Sequence, residues 1–135
     1  MNILFVCKYN VFRSKVAEAY FNRFNKNKNI KAKSAGLIAG GSPPEKEAAS
    51  VKNSEMLMAG KPKGLNVKLL KWQDITIIVA DDVPPSIFNR NEKYGKKTIV
   101  WDIKDASSDG ENVPEIMNQI KEKVVDLIKD LEETK

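Results

Sequence analysis

The chain has 135 residues, with 23 lysines and arginines against 18 aspartates and glutamates, for a formal net charge of +5. That length suits one domain over 1–135 with a core large enough to fold without disulfides or metals. One cysteine and no histidine exclude an internal disulfide, a histidine base and most zinc sites.

The modest basic excess favours anionic ligands. The lysines are scattered (Lys26, Lys28, Lys31, Lys33, Lys61, Lys63, Lys96, Lys97) with few aromatics among them, which reads as a solubilising surface and not a nucleic-acid footprint. No stretch approaches the roughly 20 apolar residues needed to span a membrane. The short apolar run at the start has no basic segment before it. The expectation is a soluble, cytoplasmic, monomeric protein with no nucleic-acid or membrane partner.

In chain order, Asn2 to Val6 (NILFV) is an apolar run rich in β-branched and aromatic residues, as buried strands are. From Arg13 the period changes. Val16, Tyr20 and Phe24 recur at steps of four with Ala17 and Phe21 beside them, one face of a helix that ends near the polar NKNKN. IKAKSAG predicts a short second strand, and LIAGGSPP a loop. Pro44 opens an expected helix through Ala48, Val51, Met56 and Ala59, closed by Gly60. ITIIVA, residues 75–80, is apolar almost throughout, as parallel strands covered on both faces tend to be. A short helix is expected within 84–92, a fourth strand over 97–101 (KTIVW), then a polar loop. Val113, Ile116, Met117, Ile120, Val124, Leu127, Ile128 and Leu131 mark a long amphipathic last helix, with Pro114 acceptable in its first turn.

Strands alternating with helices predict an α/β fold: a four-stranded parallel sheet with helices on both faces. Such sheets bind ligands beyond the C-terminal strand ends, near the topological switch point. The loop after the first strand lies there, and it reads CKYNVFRS from Cys7 to Ser14. A turn from strand into helix aims backbone N–H groups into one concavity, to which the helix N-terminus adds partial positive charge. A thiol beside such a cradle loses its proton more readily, and the thiolate is the reactive form. Arg13 supplies a planar fork that matches two phosphate oxygens. Ser14 is placed to donate to the sulfur. Asn10 tolerates the positive φ that a tight loop needs. The combination is a nucleophile facing a bound tetrahedral oxyanion, a phosphate-binding loop.

The stretch ILFVCKYNVFRSKVAEA resembles the opening of the low-molecular-weight protein tyrosine phosphatases: an apolar strand, a Cys-x5-Arg-Ser loop and a helix often containing Ala-Glu. The resemblance continues through Ser34-Ala35-Gly36, the DITIIV strand and WDIKDA, which stands where the family has its late Asp-Pro. It implies the same four-stranded fold and a metal-independent, cofactor-free phosphatase acting on a phosphorylated protein or aryl phosphate. It implies Cys7 as nucleophile, forming a phosphocysteine. The backbone of Lys8, Tyr9, Asn10, Val11, Phe12 and Arg13, with the Arg13 guanidinium, would bind the phosphoryl oxygens. Asn10 would hold the loop shape, Ser14 support the thiolate, and Ser34 bond to Asn10 or its loop. Asp105 would be the general acid; it lies farther along the loop than Asp102, which directly follows Trp101 at the strand end.

The sequence departs from the family pattern at Tyr9 (usually glycine), Phe12 (a second cysteine), Lys15 (proline) and Ala106 (proline after the acid). Tyr9, Val11 and Phe12 are expected to give the loop an apolar rim and so a preference for aryl esters. Three other functions stay open. A phosphate- or phosphotyrosine-binding module with impaired catalysis is kept alive by Tyr9 and Ala106. An arsenate reductase-like enzyme is weakened by the lack of further cysteines to resolve its intermediate. A phosphocarrier has no need of so tight a clamp as Arg13. Asp81 and Asp82, after the third strand, read as a helix cap more readily than as site residues. Trp72 and Trp101 read as core or boundary packing.

Overall fold

The structure, a computed structural model, describes residues 1–38, 62–107 and 110–133. Its elements in chain order are β1 (Asn2–Cys7), α1 (Arg13–Phe24), β2 (Lys31–Gly36), α2 (Val67–Trp72), β3 (Ile75–Val79), two 3-10 turns (Pro85–Phe88 and Glu92–Tyr94), β4 (Lys97–Trp101) and α3 (Val113–Glu133). The expected helix from Pro44 to Gly60 lies outside the described residues. No element is expected over 62–74, yet α2 forms there. Its signal is local: Asn66 caps it, its side chain accepting from the Leu69 amide at 2.8 Å.

The four strands form one sheet in the order β2-β1-β3-β4, parallel throughout. Alternate residues of each central strand feed two separate cores. Ile3, Phe5, Ile75, Ile77 and Val79 point to one face, where α1 and α3 cover them with Val16, Phe21, Met117, Ile120 and Val124. Leu4, Val6, Ile78 and Ala80 point to the other and pack with Val83, Phe88, Leu69, Leu70 and Trp72. Burial on both faces is why β1 and β3 are continuous apolar runs and not alternating ones. Phe5 is the hinge of the first core, with ring centroids 5.9 Å from Phe21 and 5.8 Å from Trp101. Trp101 is buried there, and Trp72 is half-buried against the second core. No described helix is long and apolar enough to cross a membrane.

The chain leaves β1 toward β2 on one side and returns to β3 on the other. The switch point therefore lies at the C-terminal ends of β1 and β3. Cys7 ends β1, and the loop from Lys8 to Phe12 rises from it into α1.

Candidate active site

The loop from Cys7 to Arg13 is shaped by one left-handed residue. Asn10 has φ 54°, the one non-glycine residue with positive φ among those described, and asparagine is among the few side chains that tolerate it. Its buried amide bonds in three directions. Its Oδ1 accepts from the Lys63 amide at 2.8 Å. Its Nδ2 donates to Ser14 Oγ at 2.8 Å and Ser34 Oγ at 3.0 Å. Ser14 Oγ in turn lies 3.0 Å from Cys7 Sγ, and Ser34 Oγ donates to Glu18 Oε1 at 2.6 Å. Loop, first helix, second strand and the segment before α2 are thus tied at one side chain.

Gly36 explains how closely β2 approaches the loop. A Cβ there would lie 2.6 Å from both the Asn10 nitrogen and the Tyr9 carbonyl carbon, distances at which backbone must move. Gly36 also donates its amide to the Lys63 carbonyl and accepts from Leu65, which brings the Lys63 amide within reach of Asn10.

The loop's own amides are left unspent. Among the described residues, none accepts from the backbone N–H groups of Tyr9, Asn10, Val11, Phe12 or Arg13. Helix α1 begins with no side-chain cap at Phe12 and no acidic residue in its first turn, so its N-terminal partial charge is unneutralised. Cys7, at the start of this loop, is 2% exposed.

The Arg13 side chain, 3% exposed, faces the other flank. Its Nη1 donates to the Ile103 carbonyl at 3.0 Å, and its Nη2 to Asp82 Oδ1 and Oδ2 at 2.9 and 3.2 Å. Asp81 Oδ1 lies 3.6 Å from Nη1 and Asp105 Oδ1 3.7 Å from Nε. The Ile103 carbonyl also accepts from the Asp81 amide, so both its lone pairs are used to join the loops after β3 and β4 around one guanidinium. The short bonds occupy the Nη1 and Nη2 ends, and Nε has no hydrogen bond among the described residues. Asp105 is the carboxylate beside Nε.

The structure therefore brings together Cys7, Asn10, Arg13, Ser14, Ser34 and Asp105, and leaves Asp102 exposed, with no hydrogen bond or ion pair to these residues among those described. Two expectations are corrected. Asp81 and Asp82 are not a helix cap: the following 3-10 turn starts at Pro85 without a side-chain cap, and both carboxylates face Arg13 because the switch point sets β3's end beside β1's. Phe12 does not form a rim. At 3% exposure its ring belongs to the core under α1, since the loop turns inward there to start the helix. Val11 is half-buried and Tyr9 is 39% exposed, with Lys8 Nζ 5.3 Å from its ring centroid, so the rim is Tyr9 and Val11. Glu18, Gly36, Asp82 and the backbone of Lys63 and Ile103 complete the site. Of these, Glu18 carried a signal: it falls four residues after Ser14, one helical turn on.

A thiol at a strand end, a following loop whose amides have no acceptor among the described residues, a buried arginine and an aspartate beside it define the cysteine-loop class of α/β protein. The chain belongs to the family described as low molecular weight phosphotyrosine protein phosphatase, whose model matches residues 2–135. A search of curated proteins gives no match. Among solved structures, the chain is similar to the low molecular weight protein tyrosine phosphatase of T. tengcongensis, with 26% identity over 100% of this chain and 99% of that one at a TM-score of 0.74. It is also similar to the YwlE arginine phosphatase of Geobacillus stearothermophilus, with 20% identity over 98% and 94% at a TM-score of 0.82. An arsenate reductase of Archaeoglobus fulgidus shares 24% identity over 94% and 98% at a TM-score of 0.73. The last two show a shared fold alone.

Proposed function

We propose that this protein hydrolyses aryl phosphomonoesters, phosphotyrosine in a protein among them, through a phosphocysteine on Cys7. The observation that carries the reading is the Cys7 sulfur 3.0 Å from Ser14 Oγ, at the head of a loop in which five backbone amides have no acceptor among the described residues. A phosphoryl group seated on those amides presents its phosphorus to the sulfur. The Cys7 thiolate attacks phosphorus as the ester P–O bond breaks, and Asp105 gives its proton to the leaving oxygen. Water then attacks the phosphocysteine, Asp105 takes the water's proton, and inorganic phosphate leaves with the thiolate restored. Arg13 stabilises the charge on the transferring group. Tyr9 and Val11 at the rim favour an aromatic leaving group over an alkyl one.

The arsenate reductase reading is disfavoured by composition, because Cys7 is the one cysteine in 135 residues and the chain supplies no second thiol for the resolving step. The test is the turnover of para-nitrophenyl phosphate by wild type and Cys7→Ser. Wild type turns over and retains its activity in chelator, whereas Cys7→Ser still binds phosphate but does not turn over. Undiminished activity in Cys7→Ser rules the mechanism out, and wild-type activity abolished by chelator makes the reaction a metal-dependent one.

A further inference from the structure

The buried chain of hydrogen bonds behind Cys7 ends on a carboxylate, and its proton directions follow from chemistry. The Lys63 amide can only donate, so the Asn10 atom facing it is Oδ1. Asn10 Nδ2 therefore faces Ser14 and Ser34 and gives each a hydrogen. Ser34 can accept that hydrogen because its own proton goes to Glu18, in a short bond to a charged acceptor. Ser14, having accepted from Asn10, has its proton free for the Cys7 sulfur.

We propose that Glu18 is a positioning residue that fixes this order, so that Ser14 donates to the Cys7 thiolate. The inference deepens the function proposed above and rests on Cys7 being its nucleophile. The competing order has the Asn10 amide turned over, with its oxygen accepting from both serines. Ser14's proton then points away from sulfur and the thiolate loses its donor. Two locks oppose that flip: the Lys63 amide on one side and the Ser34–Glu18 bond on the other. Asn10, Ser14 and Ser34 are all at most 1% exposed, so water does not substitute for a missing partner.

Lys15, where the family pattern has proline, stands one turn before Glu18 on α1. It is buried in the first turn of α1, and its pKa is lowered from the ordinary lysine value, most by burial, with Glu18 opposing and Lys63 adding to the lowering. The other charged groups around the loop are Lys8 on it, Arg13 at its end, and Asp81, Asp82 and Asp105 on the opposite flank.

The experiment is the pH dependence of Cys7 alkylation by iodoacetamide, which reads one sulfur because the chain has one cysteine. In Glu18→Ala the midpoint moves up by about one pH unit, a tenfold lower thiolate fraction at pH below both midpoints. Glu18→Gln, whose Oε1 still accepts from Ser34, stays near wild type. The sign is decisive, because loss of a nearby negative charge acting through space moves the midpoint down, and equally in both variants. A downward or absent shift in Glu18→Ala overturns the proposal. So does a Glu18→Ala/Ser34→Ala double variant whose shift is the sum of the two singles, since a shared path gives no more than Ser34→Ala alone. Should Glu18→Ala not fold, Glu18→Met, which keeps the volume but offers Ser34 no oxygen, takes its place: an upward shift there with Glu18→Gln near wild type upholds the proposal, and no upward shift overturns it. A normal phosphatase whose midpoint ignores Glu18 removes this inference and leaves the proposed function. A shifted midpoint in a chain that hydrolyses no phosphate ester does the reverse.

Discussion

On the β2 side of the loop, Asn10, Ser14 and Ser34 are buried and joined by hydrogen bonds of 2.8 and 3.0 Å, with the Glu18 carboxylate accepting from Ser34 at the end. On the β3 and β4 side, Arg13 meets Asp81, Asp82 and Asp105, whose side chains are 38, 33 and 54% exposed. The first flank is built of buried neutral side chains fixed in direction, so each lost partner leaves a buried polar group unsatisfied at a cost of about 1–3 kcal/mol. The second is ionic and reached by water, so each carboxylate contributes less and is free to rearrange. The division suits the chemistry. The shape of the cradle and the proton on Ser14 must not change during turnover, whereas the arginine and the acid must accommodate a substrate that arrives and leaves.

Variants on the two flanks separate these roles. The largest effect is expected at the clamp. Arg13→Lys keeps the charge but loses the planar fork and the two-ended anchoring by Ile103 and Asp82. It should lower kcat/KM by about a hundredfold or more, equivalent to roughly 3 kcal/mol of transition-state stabilisation. Steady-state kinetics giving less than about a threefold loss would place Arg13 outside the substrate's reach.

Next comes the acid. Asp105→Asn should slow phenyl phosphate by about a hundredfold, yet para-nitrophenyl phosphate only a few-fold, because a good leaving group departs without a proton. Asp102→Asn should show no such dependence, as Asp102 has no hydrogen bond or ion pair to the site among the described residues. Exchanged behaviour would transfer the role to Asp102. If neither variant depends on the leaving group, Asp81 or Asp82 becomes the candidate donor, or the protein binds phosphate without turning it over.

A third variant acts on the buried flank. Gly36→Ala places a methyl 2.6 Å from the backbone of Tyr9 and Asn10. Forcing extra volume into such a contact costs about 1–3 kcal/mol of stability, measured by urea unfolding, and should lower activity about tenfold through displacement of the loop. Wild-type stability together with wild-type activity would show that the loop yields and that the β2 flank is not the rigid one.

The smallest effect is expected at Asp82→Asn. An oxygen remains to accept from Arg13 Nη2 and the site is part-exposed, so kcat/KM should fall only about threefold. An increase in kcat/KM would mean that Asp82 competes with the substrate for the guanidinium more than it holds it.

The sequence by itself reached the sheet, its four strands and the loop, because each rests on local chemistry. β1 and β3 are apolar at successive positions, α1 repeats its apolar residues at steps of four, and the asparagine at 10 stands where a left-handed turn is needed. The unexpected α2 is six residues long, too short for its period to stand out, and its cap at Asn66 was the signal to follow. Phe12 and Asp82 show where local reading ends. A phenylalanine in a polar loop looks like a rim until α1 is docked on the sheet and turns its ring into the core. An aspartate after a strand looks like a cap until the order β2-β1-β3-β4 sets it beside Arg13, 69 residues earlier. Gly36, the Lys63 amide and the Ile103 carbonyl belong to the same class. They act through backbone position, to which residue type is nearly silent, so only the packing of four chain segments around Cys7 could assign them.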